Sequence, residues 1–157
     1  MSNELERYRA EQAGSYLREM RDVKRKIEAM EAEADELRET AGGLKAIDYS
    51  KEYVSESPSV NAIPDAVAAI IDLVERNAEY IREYVDMLGE CDEALREMGG
   101  VDAEVLRYRY LCDWPWERIS SRMHYSEQWL YELHNRALAA FYDHMPAYRR
   151  DPRQQAI

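Results

Sequence analysis

The sequence predicts an all-α fold, in which a long antiparallel helical hairpin or coiled coil is followed by a C-terminal helix-turn-helix. Two runs of apolar residues at heptad spacing occupy most of the first hundred residues, and two short amphipathic segments meet at a tight turn near the C-terminus. The chain has 157 residues, about the length of one domain.

The first predicted helix is an acidic coiled-coil segment at residues 1–43. Its apolar positions alternate in steps of four and three, as a heptad seam requires. They are Tyr16, Met20, Val23, Ile27, Met30, Ala34 and Leu37. Gly42 and Gly43 follow this run, and we expect them to end the helix.

Residues 44–63 have no sustained period and are predicted to form a linker. A second long acidic helix is predicted at 64–99, with Pro64 in its first turn. Its seam consists of Val67, Ile71, Val74, Ala78, Ile81, Val85, Leu88 and Leu95. A long amphipathic helix needs a partner. Heptads leave open whether the two helices pair within one chain or form a homodimer through the helices at 13–41 and 64–98.

The predicted C-terminal domain spans residues 101–145, with a tail at 146–157. Asp102 can cap a supporting helix, and Pro115 marks the start of a short helix. His124 and Tyr125 form the turn, and Ser126 is placed to cap the last helix. A supporting helix, a short helix, a tight turn and a longer helix are the parts of a helix-turn-helix.

The outward side of the last helix carries candidate DNA contacts, because Gln, Asn and Arg match base edges in a major groove. The predicted base-facing residues are Glu127, Gln128, Trp129, Tyr131, Glu132, Asn135 and Arg136. The predicted phosphate contacts are Arg118, Ser120, Ser121, Arg122 and Ser126.

The stretch "WERISSRMHYSEQWLYELHNRAL" (116–138) resembles region four of bacterial sigma factors. Trp116 and Ile119 match the first part of that pattern, and "MHYS" (123–126) stands in for its Leu-Gly-Ile-Ser turn. His134 with "RAL" (136–138) repeats the end of its recognition helix. His124 replaces the family's turn glycine, Trp129 a small polar residue, and Glu132 a common basic residue.

With long acidic helices in front, the chain is similar to small phage and prophage proteins of Gram-positive bacteria, the ArpU and RinA type of late transcriptional regulators. The close match covers roughly residues 102–142, and the remainder agrees in architecture only. The resemblance implies sequence-specific binding of double-stranded DNA and an action on transcription of phage genes, which makes RNA polymerase a candidate partner.

Charge is unevenly distributed along the chain. The formal net charge is -11, yet from residue 101 onward the eight arginines equal the acidic residues in number. Because an acidic segment repels phosphate, any nucleic-acid contact is expected in the C-terminal third. The longest apolar run is too short to span a membrane and no signal peptide is evident, so a cytoplasmic protein is expected.

The sequence therefore predicts a DNA-binding regulator of transcription that is not an enzyme and needs no cofactor or metal. Nucleophile, base and orienter do not fall into a recognisable order, and the three histidines are spaced ten residues apart. The alternative is a non-catalytic protein–protein interaction module that acts on the transcription machinery without reading DNA. In that case Trp129, Tyr131 and Glu132 would form the exposed contact set.

Overall fold

The computed structural model describes residues 2–48 and 59–150, and every regular element in these ranges is helical. The five α-helices are α1 (Ser2–Asp48), α2 (Ser59–Met98), α3 (Gly100–Leu106), α4 (Trp116–Met123) and α5 (Glu127–Tyr142). A π-helical turn at Arg107–Leu111 follows α3, and a 3-10 turn at Ala147–Arg149 follows α5. The predicted all-α class is confirmed.

The two long helices are longer than predicted. Helix α1 continues through the two glycines to Asp48, and α2 begins at Ser59, five residues before Pro64. A glycine inside a helix costs only about 1 kcal/mol relative to alanine, so two glycines need not end one. Of the predicted linker at 44–63, residues 49–58 lie outside the described part of the chain, and the remaining residues are helical.

The chain divides into two compact units, residues 23–83 and residues 1–22 with 84–157. In the 23–83 unit, α1 buries Val23 and Ala34, and α2 buries Leu73 and Asn77. The Lys26 ammonium lies 5.5 Å from the centre of the Tyr80 ring. Farther along α1, Ala34 lines a groove together with Leu73 and Asn77. Residues later in α1 thus lie near residues earlier in α2, so the two helices are antiparallel within this unit.

Along most of its length, α2 does not turn the predicted apolar stripe towards α1. Of the predicted seam, Leu95 is buried, and Ala78 and Leu88 are half-buried. The predicted seam of α1 is confirmed as a buried or half-buried face from Tyr16 to Leu37. On α2, however, Val67, Ile71, Val74, Ile81 and Val85 are all exposed. The buried positions of this helix are Leu73, Asn77, Met87, Cys91, Ala94 and Leu95. Helix α2 carries apolar residues at two heptad registers. Periodicity alone predicts the stripe rich in β-branched residues, whereas packing within the chain mainly buries the second stripe.

The unit that contains the C-terminal half has an apolar core to which all five helices contribute. The largest fully buried side chains there are Leu17, Met20, Leu95, Val105, Leu106, Ile119, Leu130, Leu133 and Phe141. The Tyr16 ring lies 5.9 Å from that of Phe141, and its hydroxyl donates to the Met87 carbonyl at 3.3 Å and to Glu90 Oε2 at 3.1 Å. Burial, reinforced by the Glu90 carboxylate, raises the pKa of Tyr16 above its usual value. Tyr16 therefore stays protonated and serves as a donor that ties α1 to α2.

Two further details differ from the sequence-based expectation. Asp102 lies in the first turn of α3 rather than at its cap, which is Gly99 with a φ of 62°. Glycine tolerates this left-handed backbone, so α2 can end and α3 begin within two residues. Part of the predicted tail is also attached, because Tyr148 donates to Glu90 and Arg149 Nη1 donates to Glu19 Oε2 at 3.1 Å. Residues 151–157 lie outside the described residues. Along the described helices, no stretch is both long and apolar enough to cross a bilayer.

Candidate nucleic-acid interface

Helices α4 and α5 are joined by a tight turn at residues 124–126. Helix α4 ends at Met123, and His124 is its C-cap, with a left-handed backbone of φ 61° and ψ 36°. The His124 amide donates to the Ser120 carbonyl at 2.9 Å. The Ser120 hydroxyl then donates to the carbonyl of Tyr125 at 2.5 Å. These bonds hold the turn closed. The left-handed backbone falls on His124, which replaces the turn glycine of the resembling family. This conformation costs more free energy for a residue with a side chain than for glycine.

Ser126 begins α5 as its N-cap. Its Oγ accepts a hydrogen bond from the Trp129 amide at 3.1 Å, which satisfies one of the amides that a helix start leaves unpaired. Glu127 in the first turn also suits the positive end of the helix dipole. The predicted cap is confirmed. The hydroxyls of Ser120 and Ser126, both predicted to contact phosphate, are therefore already engaged in closing the turn and capping α5.

Every residue predicted to face bases lies on the exposed side of α5. The inner side buries Leu130, Leu133, Ala137 and Phe141. The exposed set is Glu127, Gln128, Trp129, Tyr131, Glu132, Asn135 and Arg136. By helix geometry Gln128, Glu132 and Asn135 lie opposite the buried stripe, and the aromatic residues lie at its margins. The first ten residues of α5 thus present an amide-rich outer face with an acidic residue at its centre.

Arg136 is held by an ion pair that the sequence did not predict. Its Nη2 lies 3.0 Å and its Nε 3.3 Å from Asp102 Oδ1, so one carboxylate of α3 fixes the guanidinium at one side of the α5 face. The sequence predicts Asp102 only as a helix cap. The 34-residue separation of the pair gives no local sequence signal for it.

An aromatic cluster supports the other margin of the α5 face. The Trp116 ring makes edge contacts with Tyr131 at 5.4 Å and with His134 at 4.9 Å, and the Arg109 guanidinium lies 4.7 Å from its centre. Edge-to-face aromatic pairs and cation–π contacts each stabilise such a cluster by roughly 1 kcal/mol. Tyr131 is therefore exposed but held in place, and Trp116 is a structural anchor.

His134 lies within this cluster and is uncharged at neutral pH. Desolvation by its surroundings, with the positive charges of Arg109, Arg18 and Arg21, lowers the pKa of His134 to about 4. Its Nε2 shares a 2.8 Å hydrogen bond with the Tyr110 hydroxyl. Burial also favours the neutral form of Tyr110, and it therefore raises the pKa of the Tyr110 hydroxyl. His134 therefore packs and forms a hydrogen bond on the inner side of α5 rather than contributing charge to the outer face of this helix.

Two of the predicted phosphate contacts are exposed arginines of α4. The Arg118 guanidinium lies 4.0 Å from the centre of the Trp114 ring, whose other face stacks on Tyr108 at 4.6 Å. Arg122 forms a side-chain hydrogen bond with Tyr108, which raises the pKa of the guanidinium. Both cations are thus oriented by the same aromatic pair. Ser121 is exposed between them on α4.

A groove of about 840 Å³ flanks the C-terminal half of α5. Its α5 wall includes Asn135 and Arg136, and its α1 wall includes Arg7 and Arg18, both exposed. The sequence motifs predict no functional residue in this part of α1. No local motif marks these arginines, since only the fold brings the start of α1 beside α5.

Comparison with protein-family models, curated proteins and solved structures gives no match for this chain. The described residues also contain no group of three or more His, Cys, Asp or Glu side chains arranged to hold a metal ion.

Proposed function

We propose that this protein binds double-stranded DNA sequence-specifically and regulates transcription, with the outer face of α5 in the major groove. The observation that carries the proposal is the exposure of all seven predicted base-facing residues on one helix that follows α4 across a tight turn. A helix in a major groove reads bases with side chains of its first turns, and amide and guanidinium groups make paired hydrogen bonds to base edges.

The polar side chains of α4 and α5 support different roles for the two helices. Arg118 and Arg122 on α4 are exposed cations suited to phosphates, and contacts of this kind fix orientation without reading sequence. Gln128 and Asn135 supply donors and acceptors that pair with adenine, and Arg136 matches guanine. Glu132 can accept a hydrogen bond from the cytosine amino group. The assignment to phage or prophage genes rests on the resemblance to the ArpU and RinA type.

The groups proposed to read bases are tested by a triple variant with Gln128, Asn135 and Arg136 replaced by Ala. Since each bidentate contact contributes about 1–3 kcal/mol of discrimination, affinity for a site selected from random duplex DNA should fall by about 100-fold or more. Fluorescence anisotropy measures the affinity, and circular dichroism checks that helicity is retained. A matched variant replaces the exposed Arg38, Glu39 and Thr40 of α1 by Ala and should bind normally. Equal affinity of the triple variant and the wild type would refute the groove assignment.

A second candidate function is supported by the exposed aromatic side chains of α5. Trp129 is 42% exposed and Tyr131 48% exposed, and Glu132 is exposed beside them. Aromatic residues are enriched at protein–protein interfaces, so the same face could bind a protein surface of the transcription machinery. Salt distinguishes the two functions. Binding to duplex DNA should weaken steeply as salt rises, because phosphate contacts release counterions. If the protein is not retained on duplex DNA even at low salt, this result would favour the second function.

A further inference from the structure

The exposed stripe of α2 in the 23–83 unit has the composition of a helix interface. Val67, Ile71, Val74 and Ile81 are spaced four, three and seven residues apart, with Ala78 filling the remaining heptad position. Ile71 is 53% exposed and Val74 49% exposed. Single exposed apolar residues are ordinary, but a continuous β-branched stripe at heptad spacing is typical of a coiled-coil seam.

Beside this stripe, α1 and α2 form a groove of about 460 Å³. Val74, Ala78 and Ile81 lie along its α2 side, and Met30 and Ala34 along its α1 side. Asn77 also lines it and is only 8% exposed, and its Oδ1 accepts no hydrogen bond from the described residues. A buried acceptor without a donor is costly, so the groove offers both apolar contact and an unused polar group to an occupant.

We propose that the occupant is α2 of a second copy, packed antiparallel so that Ala78 of each chain faces Ile81 of the other. Charged residues next to the seam select this register. With Ile71 and Ala78 at a and Val74 and Ile81 at d, Glu75 and Arg82 occupy e positions. In an antiparallel pair e positions face each other, so Glu75 of each copy lies opposite Arg82 of the other.

The neighbouring registers and the opposite orientation lack this complementarity. A shift by one heptad in one direction places Glu75 opposite Glu75, and a shift in the other direction places Arg82 opposite Arg82. Like charges in facing positions disfavour an interface. In a parallel pair, e positions face g positions, which here are the uncharged Ile70 and Asn77. Only the proposed register therefore forms two symmetric ion pairs.

The mass of the protein in solution tests whether this surface pairs. The wild type should have about twice its chain mass of 18.5 kDa by sedimentation equilibrium at micromolar concentration. Ile71→Glu and Ile81→Glu should each yield monomers, since an unpaired charge would enter the seam. Ala69→Glu introduces the same charge at an exposed position on the opposite side of α2 and should remain dimeric. A monomeric wild type, or seam variants that stay dimeric, would overturn the proposal.

Cross-linking tests the orientation and register without disturbing the seam. In a Cys112→Ser background, which removes the exposed native thiol, Glu75→Cys and Arg82→Cys chains are mixed, one of them carrying a mobility tag. Burial raises the pKa of the remaining Cys91 thiol to about 12, so it stays unreactive. A short bis-maleimide should give the mixed product and neither homodimer product. Predominant homodimer products, or no cross-linked product, would contradict the register. The substituted α2 residues are not among those proposed to contact DNA, so neither result depends on DNA binding.

Discussion

At the scale of single residues, His134 shows how burial determines the character of the C-terminal core. Its ring contacts Trp116 and hydrogen-bonds Tyr110, and three nearby arginines oppose a further positive charge. Neutral imidazole is a good partner for these groups, and imidazolium is not. The fold therefore depends on the protonation state of one side chain beneath the proposed DNA-binding face.

This dependence predicts acid sensitivity. The pKa of His134 is about 4 in the folded protein and about 6.5 in the unfolded chain, so below about pH 6.5 the unfolded chain binds the extra proton. Stability due to the neutral ring is fully present above pH 6.5 and is lost as pH falls towards 4. Between about pH 7 and pH 5 the free energy of unfolding should decrease by about 2 kcal/mol from this residue.

Urea denaturation of wild type and His134→Gln at several pH values isolates the contribution of His134, because glutamine hydrogen-bonds without titrating. The variant should lack the loss that is specific to His134, and His144→Gln, at a half-buried histidine outside this cluster, should retain it. Parallel pH profiles for His134→Gln and the wild type would show that the imidazole is not held neutral by its surroundings.

At the scale of elements, α4 and α5 illustrate what local sequence encodes. Ser126 was correctly predicted as the α5 cap because capping depends on one side chain and an amide three residues away. The left-handed turn at residue 124 was likewise implied by the glycine of the resembling family. The Asp102–Arg136 ion pair was not predicted, since it joins α3 to α5 across 34 residues.

The turn at His124 gives a prediction for the stability of α4. A side chain at φ 61° strains the backbone, so His124→Gly should raise the free energy of unfolding by about 0.5–1 kcal/mol, measured from the urea midpoint. Ser121→Gly, in the interior of α4, should lower it, because glycine there disfavours the helix. Equal effects of the two substitutions would mean that the left-handed conformation carries no cost for histidine.

The long helices show the limit of periodicity. Sequence spacing identified the buried face of α1 through Met20, Val23 and Ala34, where one apolar stripe exists. On α2 it identified the stripe of Val67, Ile71 and Val74, which the fold leaves exposed. A helix with two apolar stripes needs two packing partners. Residue spacing alone does not show which of these partners belongs to the same chain. The missed stripe is less regular because it contains the polar Asn77.

At the scale of the whole molecule, the sequence predicted the all-α class and the uneven distribution of charge. The net charge of -11 arises from the first hundred residues, so the C-terminal residues that carry the α5 face are neutral overall. Neutrality lowers the general attraction to phosphate, so the proposed DNA recognition would depend on directed contacts from α5 and on the two arginines of α4. Weak non-specific binding is therefore expected together with sequence preference.

Selection from a pool of random duplex DNA with the purified full-length chain tests the central claim most directly. Successive rounds should enrich one recurring sequence, and the protein should bind that duplex at least about 1,000-fold more tightly than a scrambled duplex at moderate salt. If the selected pools share no sequence, and if the protein binds selected and scrambled duplexes equally, then α5 does not read DNA.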